Sequence, residues 1–304
     1  IRLLTNLKVI SPKEIIDVAN QLDLRTYFDA LSESVASRFD EPYDPTKYVE
    51  RGIEGEIIQE IKNIWAGGSG IILIIAQMGY GKTWLVSRIR EILRETYNDV
   101  AVLLQSLREL EKLERTIFPA LDAKDLDEFK MMREKIGRKL GKAVIILDGL
   151  DELYWTRRGD EKVMEALEIA GILAEEGIPV VITTRPYEWM RIKTNPRYIQ
   201  LRIDQLIIRR MELQEFNKRE LGEALRRYGL PKELAKPKGK LGKLLRKPYF
   251  LRILAYWYHK TGELPNEEMS NAVALTILAG FPDPKIATPN VLHLSLIHIS
   301  EPTR

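Results

Sequence analysis

Runs of consecutive apolar residues, rich in β-branched side chains, recur along the middle of the chain and predict strands buried on both faces. Between them, apolar residues return every three or four positions, which predicts amphipathic helices. This alternation over residues 46–205 is typical of an α/β domain with a parallel sheet between helices. The predicted strands are Ile71–Ala76, Val100–Leu104, Ala143–Leu147, Ile178–Thr183 and Tyr198–Ile203.

On both sides of this region the pattern is helical. Residues 1–45 predict a separate helical lead-in, or the end of an upstream domain, with one helix over Leu24–Ser37. In residues 206–290 we expect no further strands and an all-helical lid domain. Its helices are predicted over Met211–Tyr228 and Lys240–Lys260.

The stretch GIILIIAQMGYGKT, residues 70–83, joins the first predicted strand to a helix through a glycine-bearing loop. Gly79 and Gly81 can take positive φ, so that backbone N–H groups form an anion-binding nest. In this P-loop pattern Lys82 would reach the β and γ phosphates and the Thr83 hydroxyl would ligate Mg²⁺. Alanine replaces the first glycine of the pattern. The residues expected to bind nucleotide here are Ala76, Gly79, Tyr80, Gly81, Lys82, Thr83 and Trp84.

Two further motifs follow the ends of predicted strands, where parallel sheets bind ligands. In Asp148-Gly149-Leu150-Asp151-Glu152, Asp148 is expected to hold Mg²⁺. Asp151 or Glu152 could orient and deprotonate the attacking water, and we favour Asp151. In Thr183-Thr184-Arg185-Pro186, the polar pair and Arg185 can hydrogen-bond the γ-phosphate and report its presence.

Composition narrows the function classes. The net charge of +3 implies no polyelectrolyte partner, and the basic run from Lys236 to Lys247 is interpreted as a solvated surface, so nucleic acid is not favoured. The sequence has no cysteine and three scattered histidines, which argues against disulfides and Cys or His metal sites. The absence of cysteine suits a reducing cytosol, so we expect a cytoplasmic protein, and no apolar run approaches a membrane span. The chain begins without methionine, and we expect it to be a fragment. Residues 294–304 resemble a translated sequencing adapter and are expected to be non-native.

AQMGYGKT, VIILDGLDEL and VVITTRP together resemble the NACHT group of STAND signalling ATPases, within the AAA-like P-loop class. Weaker similarities lie in Val102–Leu110, Lys47–Glu56 and Lys247–Pro265, and the resemblance covers roughly residues 46–280. It implies that Arg51 lies near the nucleotide base and that Pro248 packs on adenine.

The resemblance also implies a slow ATPase that acts as a prokaryotic signalling switch, in antiviral defence or regulation. ADP would hold a closed monomer, and ATP would open it and drive self-association. An upstream effector and downstream sensor domains would lie outside this chain. Two alternatives stay open: an AAA-type or DNA-associated motor, for which Arg191, Arg197 and Arg202 are candidate arginine fingers, and a nucleotide-binding scaffold without catalysis.

Overall fold

A computed structural model describes residues 23–36, 43–107, 126–131, 137–138, 140–235 and 239–264. Within these residues the chain forms two compact units. The first contains residues 50–78 and 82–214 together with the described residues before 46. The second contains residues 46–49 and 79–81 together with the described residues from 215 onward.

The first unit is built on a five-stranded, fully parallel sheet. Every residue of three of its strands is buried, as expected for strands covered on both faces. The strands are β1 (Ile71–Ile75), β2 (Ala101–Ser106), β3 (Ala143–Asp148), β4 (Val180–Thr184) and β5 (Ile207–Glu212). Their spatial order is β2-β3-β4-β1-β5. The predicted α/β class is confirmed, and all predicted strands but the last are present.

Helices flank this sheet, and the apolar side chains on one of its faces join those of several helices in one core. The helices of the first unit are α1 (Leu24–Ala36), α2 (Glu54–Trp65), α3 (Lys82–Thr96), α4 (Leu126–Met131), α5 (Gly159–Glu175), α6 (Pro186–Lys193), α7 (Pro196–Gln200) and α8 (Ile203–Leu206). A 3₁₀ helix, Leu150–Trp155, follows β3. Among the described helices, none combines the length and apolarity that crossing a bilayer would require.

The predicted strand Tyr198–Ile203 is wrong, because this segment lies in α7 and α8. Asn195 caps α7 by accepting a hydrogen bond from the backbone N–H of Arg197, and Pro196 occupies the first turn. The fifth strand is β5, so the expectation of no strands after residue 205 is also wrong. In this edge strand only Met211 is buried, and it therefore lacks the apolar run by which the other strands were predicted.

The N-terminal helix α1, predicted over Leu24–Ser37, is confirmed and packs against β2. Tyr27, Phe28 and Leu31 are buried in the core of the first unit. The Ser32 hydroxyl accepts a hydrogen bond from the backbone N–H of Leu104 in β2 and donates one to the carbonyl oxygen of Phe28. The described part of the lead-in thus belongs to the core around the sheet. The domain boundaries drawn from the sequence stay predictions.

The second unit is helical and has its own apolar core, which includes Leu221, Leu225, Leu251 and Leu254. Its helices are α9 (Lys218–Arg227), α10 (Gly239–Leu245) and α11 (Pro248–Thr261), with a 3₁₀ helix at Lys232–Ala235. Helix α9 begins later than the predicted Met211 because Asn217 and Glu220 form a capping box at its start. The lid beyond residue 264, including the predicted non-native tail at residues 294–304, lies outside the described residues.

Candidate nucleotide-binding site

The loop after β1 has the backbone conformation that its glycines predict. Gly79 has φ 81° and Gly81 has φ 91°, values that favour glycine. Tyr80 between them is partly exposed. Within the second unit, the carbonyl oxygen of Gly79 accepts a hydrogen bond from the backbone N–H of Tyr249 at 3.1 Å. A Cβ added to Gly81 would lie 3.7 Å from Cγ of Pro248, so Pro248 neighbours the loop.

Lys82 and Thr83 form the first turn of α3. The Lys82 ammonium donates a hydrogen bond to the carbonyl oxygen of Ala76 at 3.0 Å. Burial lowers the pKa of Lys82, while the carboxylates of Asp151 and Asp148 act in the opposite direction. The Thr83 hydroxyl donates to Oδ2 of Asp148 at 2.7 Å. The P-loop cation and hydroxyl therefore lie near the acidic residues at and just after the end of β3.

Asp148 ends β3 and is buried. Its Oδ1 accepts a hydrogen bond from the Thr183 hydroxyl at 2.6 Å, and its Oδ2 accepts the bond from Thr83. Burial raises the pKa of Asp148, and the hydrogen bonds from Thr183 and Thr83 oppose this rise. The two acceptor atoms of this carboxylate are thus fixed by strand β4 on one side and by helix α3 on the other.

The next acid, Asp151, lies in the first turn of the 3₁₀ helix. Its side chain is 2% exposed, and Oδ2 lies 2.7 Å from Nε of Arg185, at the end of β4. Its Oδ1 is buried and has no hydrogen-bond partner among the described residues. The acid predicted to activate water and the arginine predicted to read the γ-phosphate therefore form an ion pair.

Glu152 adopts a different position from Asp151. Gly149 has φ 83°, and its left-handed backbone starts the 3₁₀ helix. A Cβ added to Gly149 would lie 2.9 Å from Cδ of Glu152, so the Glu152 side chain folds back over this glycine. Glu152 is also partly exposed, unlike Asp151. Both acids thus stay structurally distinct candidates for the water-activating role.

The remaining predicted contacts lie in several places. Arg51 is buried, and its guanidinium donates a hydrogen bond to the carbonyl oxygen of Gln214. The Trp84 ring packs edge-on against Tyr43, with ring centroids 5.8 Å apart, and the Tyr43 hydroxyl donates to Glu91 at 2.8 Å. A base contact by Arg51 or Trp84, and an adenine contact by Pro248, stay predictions.

Two residues at this site were not singled out from the sequence. Thr183 was considered only as part of a polar pair facing a phosphate, whereas its hydroxyl binds Asp148. Tyr43 was placed in a linker, although its ring covers Trp84. A signal existed for Thr183, because a polar residue at the end of an otherwise apolar strand marks the ligand-binding edge of a parallel sheet. None existed for Tyr43, whose contact is long-range.

The donor set fits magnesium. Carboxylate and hydroxyl oxygens are ligands that Mg²⁺ accepts, and in nucleotide sites it takes few protein ligands together with phosphate oxygens and water. Thr83 and Asp148 supply one oxygen each at 2.7 Å from one another. No group of three or more acidic, histidine or cysteine residues suited to a metal occurs in the part of the chain that the structure describes. A metal here would therefore depend on a bound phosphate.

Solved structures with the same fold include P-loop ATPases. The Walker-type ATPase PABY2304 of Pyrococcus abyssi matches with a TM-score of 0.54 at 16% identity, over 80% of this chain and 77% of that one. The ORC2 protein of Aeropyrum pernix, in its ADPNP–ADP complexes, matches with a TM-score of 0.52 at 14% identity, over 86% and 71%. The replication initiator DnaA bound to AMPPCP and single-stranded DNA matches with a TM-score of 0.50 at 16% identity, over 80% and 73%.

No curated protein sequence matches the chain significantly. The family model described as the NACHT domain matches residues 71–231, which begin at β1 and include the P-loop, the Asp148 motif and Arg185. The resemblance noted in the sequence is therefore confirmed over this range. The chain belongs to the NACHT family of P-loop nucleotide-binding ATPases.

Proposed function

We propose that this chain is the nucleotide-operated switch of a prokaryotic signalling protein of the STAND type, acting in the cytoplasm in defence or regulation. ADP would favour a closed monomer, and ATP would favour an open form that self-associates. Slow hydrolysis of ATP with Mg²⁺ would return the switch to its closed state. The trigger and the effector would reside in other parts of the protein.

The observation that carries this proposal is the chain of polar contacts from Thr83 to Asp148 to Thr183. It joins the start of the P-loop helix to the ends of two adjacent strands. This geometry supports a metal ligand pair beside the phosphate loop. Because Asp148 sits opposite the hydroxyl of Thr83, one divalent cation could contact both once a phosphate is present.

The chemistry of each residue follows from its surroundings. Lys82 is a partly buried cation that would balance phosphate charge, and partial desolvation strengthens such an interaction. A bound Mg²⁺ would supply further charge neutralisation at the phosphate oxygens. Asp151, whose buried Oδ1 has no hydrogen-bond partner within the described ranges of the chain, is suited to accept a hydrogen bond from a water molecule. Arg185 would donate to a phosphate oxygen in exchange for its bond to Asp151.

The decisive experiment compares Lys82→Ala with wild type in calorimetric titrations with ADP and with ATP in Mg²⁺. Each charge-assisted phosphate contact contributes ~1.5–3 kcal/mol, so the affinity should fall by about tenfold or more. Lys62→Ala, in an exposed position on α2, is the matched control and should bind as wild type does. Unchanged affinity in Lys82→Ala, with a cooperative melting curve, would contradict the proposed site.

A motor or DNA-associated ATPase is the second candidate. The fold is shared with replication proteins, one of which was solved with single-stranded DNA, although a likeness at 16% identity supports the fold alone. Steady turnover that rises when DNA is added would favour this candidate. A switch should instead hydrolyse slowly and independently of DNA, and a scaffold without catalysis should bind ATP and leave it intact in single-turnover assays.

A further inference from the structure

Thr183 occupies the position in the sheet from which a side chain can reach the metal-binding acid. Strand β4 lies between β1 and β3, and its register with β3 pairs Leu147 with Ile182. The next residues along the two strands are Asp148 and Thr183. Both are buried, so the contact between them is shielded from water.

The Thr183 hydroxyl makes two hydrogen bonds there. It donates to Oδ1 of Asp148 at 2.6 Å and accepts from the backbone N–H of Gly149 at 2.8 Å. The Gly149 N–H can only donate and the Asp148 carboxylate can only accept, so the hydroxyl proton must lie on the bond to Asp148. The proton therefore points to Asp148. One hydroxyl thereby secures both the carboxylate and the turn that follows it.

The bond to Thr183 fixes the orientation of the Asp148 carboxylate and therefore the direction of its second oxygen, Oδ2. With Oδ1 held by Thr183, Oδ2 is directed at the Thr83 hydroxyl, 2.7 Å away. Without the Thr183 hydroxyl, the carboxylate could rotate about its χ2 angle, which is a broad torsion with a low barrier. A metal ligand that rotates freely binds less well than one oriented by its neighbours.

We infer that Thr183 is a positioning residue that orients Asp148 for a divalent cation bound with the nucleotide, an inference that rests on the proposed nucleotide site. Thr183 would touch neither cation nor phosphate. Its removal should therefore weaken the contribution of Mg²⁺ to nucleotide binding and leave the contacts of the P-loop to the phosphates unchanged.

The neighbouring residue supplies a matched control. Thr184 is as buried as Thr183, but its hydroxyl has no hydrogen-bond partner among the described residues. Thr183→Val and Thr184→Val thus make the same chemical change at adjacent positions of one strand. Only the first removes hydrogen bonds. Thr183→Ser, which keeps the hydroxyl, is the variant expected to restore the wild-type behaviour.

For each variant, calorimetry determines the ADP dissociation constant in EDTA and over a series of free Mg²⁺ concentrations. Loss of a group that orients a metal ligand costs about 10- to 100-fold in metal affinity, so the free Mg²⁺ needed for half of the effect should rise by about tenfold or more in Thr183→Val. Its affinity in EDTA should match wild type. Thr183→Ser should keep the wild-type Mg²⁺ dependence. Thr184→Val should keep it too, because ADP lacks the γ-phosphate that the sequence predicts as a partner of Thr184 and the Thr184 hydroxyl has no hydrogen-bond partner among the described residues.

Different outcomes test the role of Thr183 and the proposed nucleotide-binding function. Thr183→Val with the wild-type Mg²⁺ dependence would overturn the role of Thr183 and leave the nucleotide site intact. A wild-type protein that binds no nucleotide would instead refute the proposed function. Should Thr183→Val not fold, Thr183→Ala is measured in the same way, since it removes the hydroxyl without adding bulk.

Discussion

The guanidinium of Arg185 and the carboxylate of Asp151 form an ion pair, with Nε 2.7 Å from Oδ2. The two residues follow neighbouring strands, β4 and β3, and meet at the same edge of the sheet. Asp151 is almost fully enclosed, at 2% exposure, whereas Arg185 is 27% exposed. A phosphate that bound Arg185 would compete with Asp151 for it. A γ-phosphate bound at Arg185 would therefore release the Asp151 carboxylate from this ion pair.

The first prediction concerns the energetics of this pair. Arg185→Ala leaves a buried carboxylate without its cation and should lower the free energy of unfolding by about 1–3 kcal/mol, since Arg185 is partly solvated. Adding Asp151→Asn should recover part of this loss, because the remaining group is neutral. Urea denaturation of both single variants and the double variant measures this coupling.

Arg191→Ala is the control for that series. Its ion pair with Asp160 is exposed on both sides, at 51% and 57%, and such pairs contribute at most about 1 kcal/mol. Equal losses of stability in Arg185→Ala and Arg191→Ala would show that the Asp151 pair is screened like a surface pair. Full additivity of Arg185→Ala and Asp151→Asn would lead to the same conclusion.

The second prediction separates the roles of the acids. Asp148→Asn should weaken Mg²⁺-dependent nucleotide binding and hydrolysis together, because it removes a charged ligand. Asp151→Asn and Glu152→Gln should keep nucleotide affinity, and Asp151→Asn should retain bound ATP for longer than wild type. Single-turnover hydrolysis and calorimetry on the same preparations test this. Wild-type hydrolysis by both Asp151→Asn and Glu152→Gln would remove these residues from the catalytic assignment.

Local patterns in the sequence predict much of this site, because each motif is contiguous. A buried apolar run such as Ile71–Ile75 has few structural alternatives, and the glycines after it allow the positive φ that they adopt. The helix start at Pro196 was also readable, from the Asn-Pro pair that caps it. The apolar residues nearby nevertheless favour a strand by their pattern, which conflicts with this helix-start signal.

Other features depend on strand order, which chain order does not reveal. The insertion of β4 between β1 and β3 brings Thr183 to Asp148 across 35 positions of sequence. The ion pair of Arg185 with Asp151 has the same origin. Edge strand β5 is exposed along most of its length, so its sequence lacks the apolar pattern. The docking of α1 on β2 similarly depends on long-range packing.

The third prediction concerns the hydrogen bond between Ser32 in helix α1 and Leu104 in edge strand β2. Ser32→Ala would leave the buried N–H of Leu104 without its acceptor and should lower the free energy of unfolding by about 1–3 kcal/mol. Ser87→Ala is the matched control, because the Ser87 hydroxyl donates to the carbonyl oxygen of Thr83 in its own helix and makes no hydrogen bond to a strand among the described residues. Ser87→Ala should lower the free energy of unfolding by less than Ser32→Ala does. Urea denaturation measures both variants, and equal losses would show that the Ser32 contact to β2 contributes little.

The last prediction tests whether the position of the Glu152 side chain matters for hydrolysis. The substitution is made at Gly149, which has no side chain that could take part in the reaction. Gly149→Ala would introduce a Cβ at φ 83°, 2.9 Å from Cδ of Glu152 and 3.1 Å from its Oε2. The backbone strain should cost about 1–2 kcal/mol. The close approach should add little to this, because the end of a flexible side chain can move away. That movement would displace the Glu152 carboxylate.

Gly141→Ala isolates the two effects. Gly141 has φ 55°, and apart from its chain neighbours no atom in the described part of the chain lies within 4 Å of an added Cβ, so this variant carries backbone strain without a displaced neighbour. Both variants should lose similar stability in urea denaturation, and both should bind ADP as wild type does. Only Gly149→Ala should slow single-turnover ATP hydrolysis. If the two variants hydrolyse ATP at the same rate, the orientation of Glu152 is irrelevant to the reaction, and the water-activating role would rest on Asp151 alone.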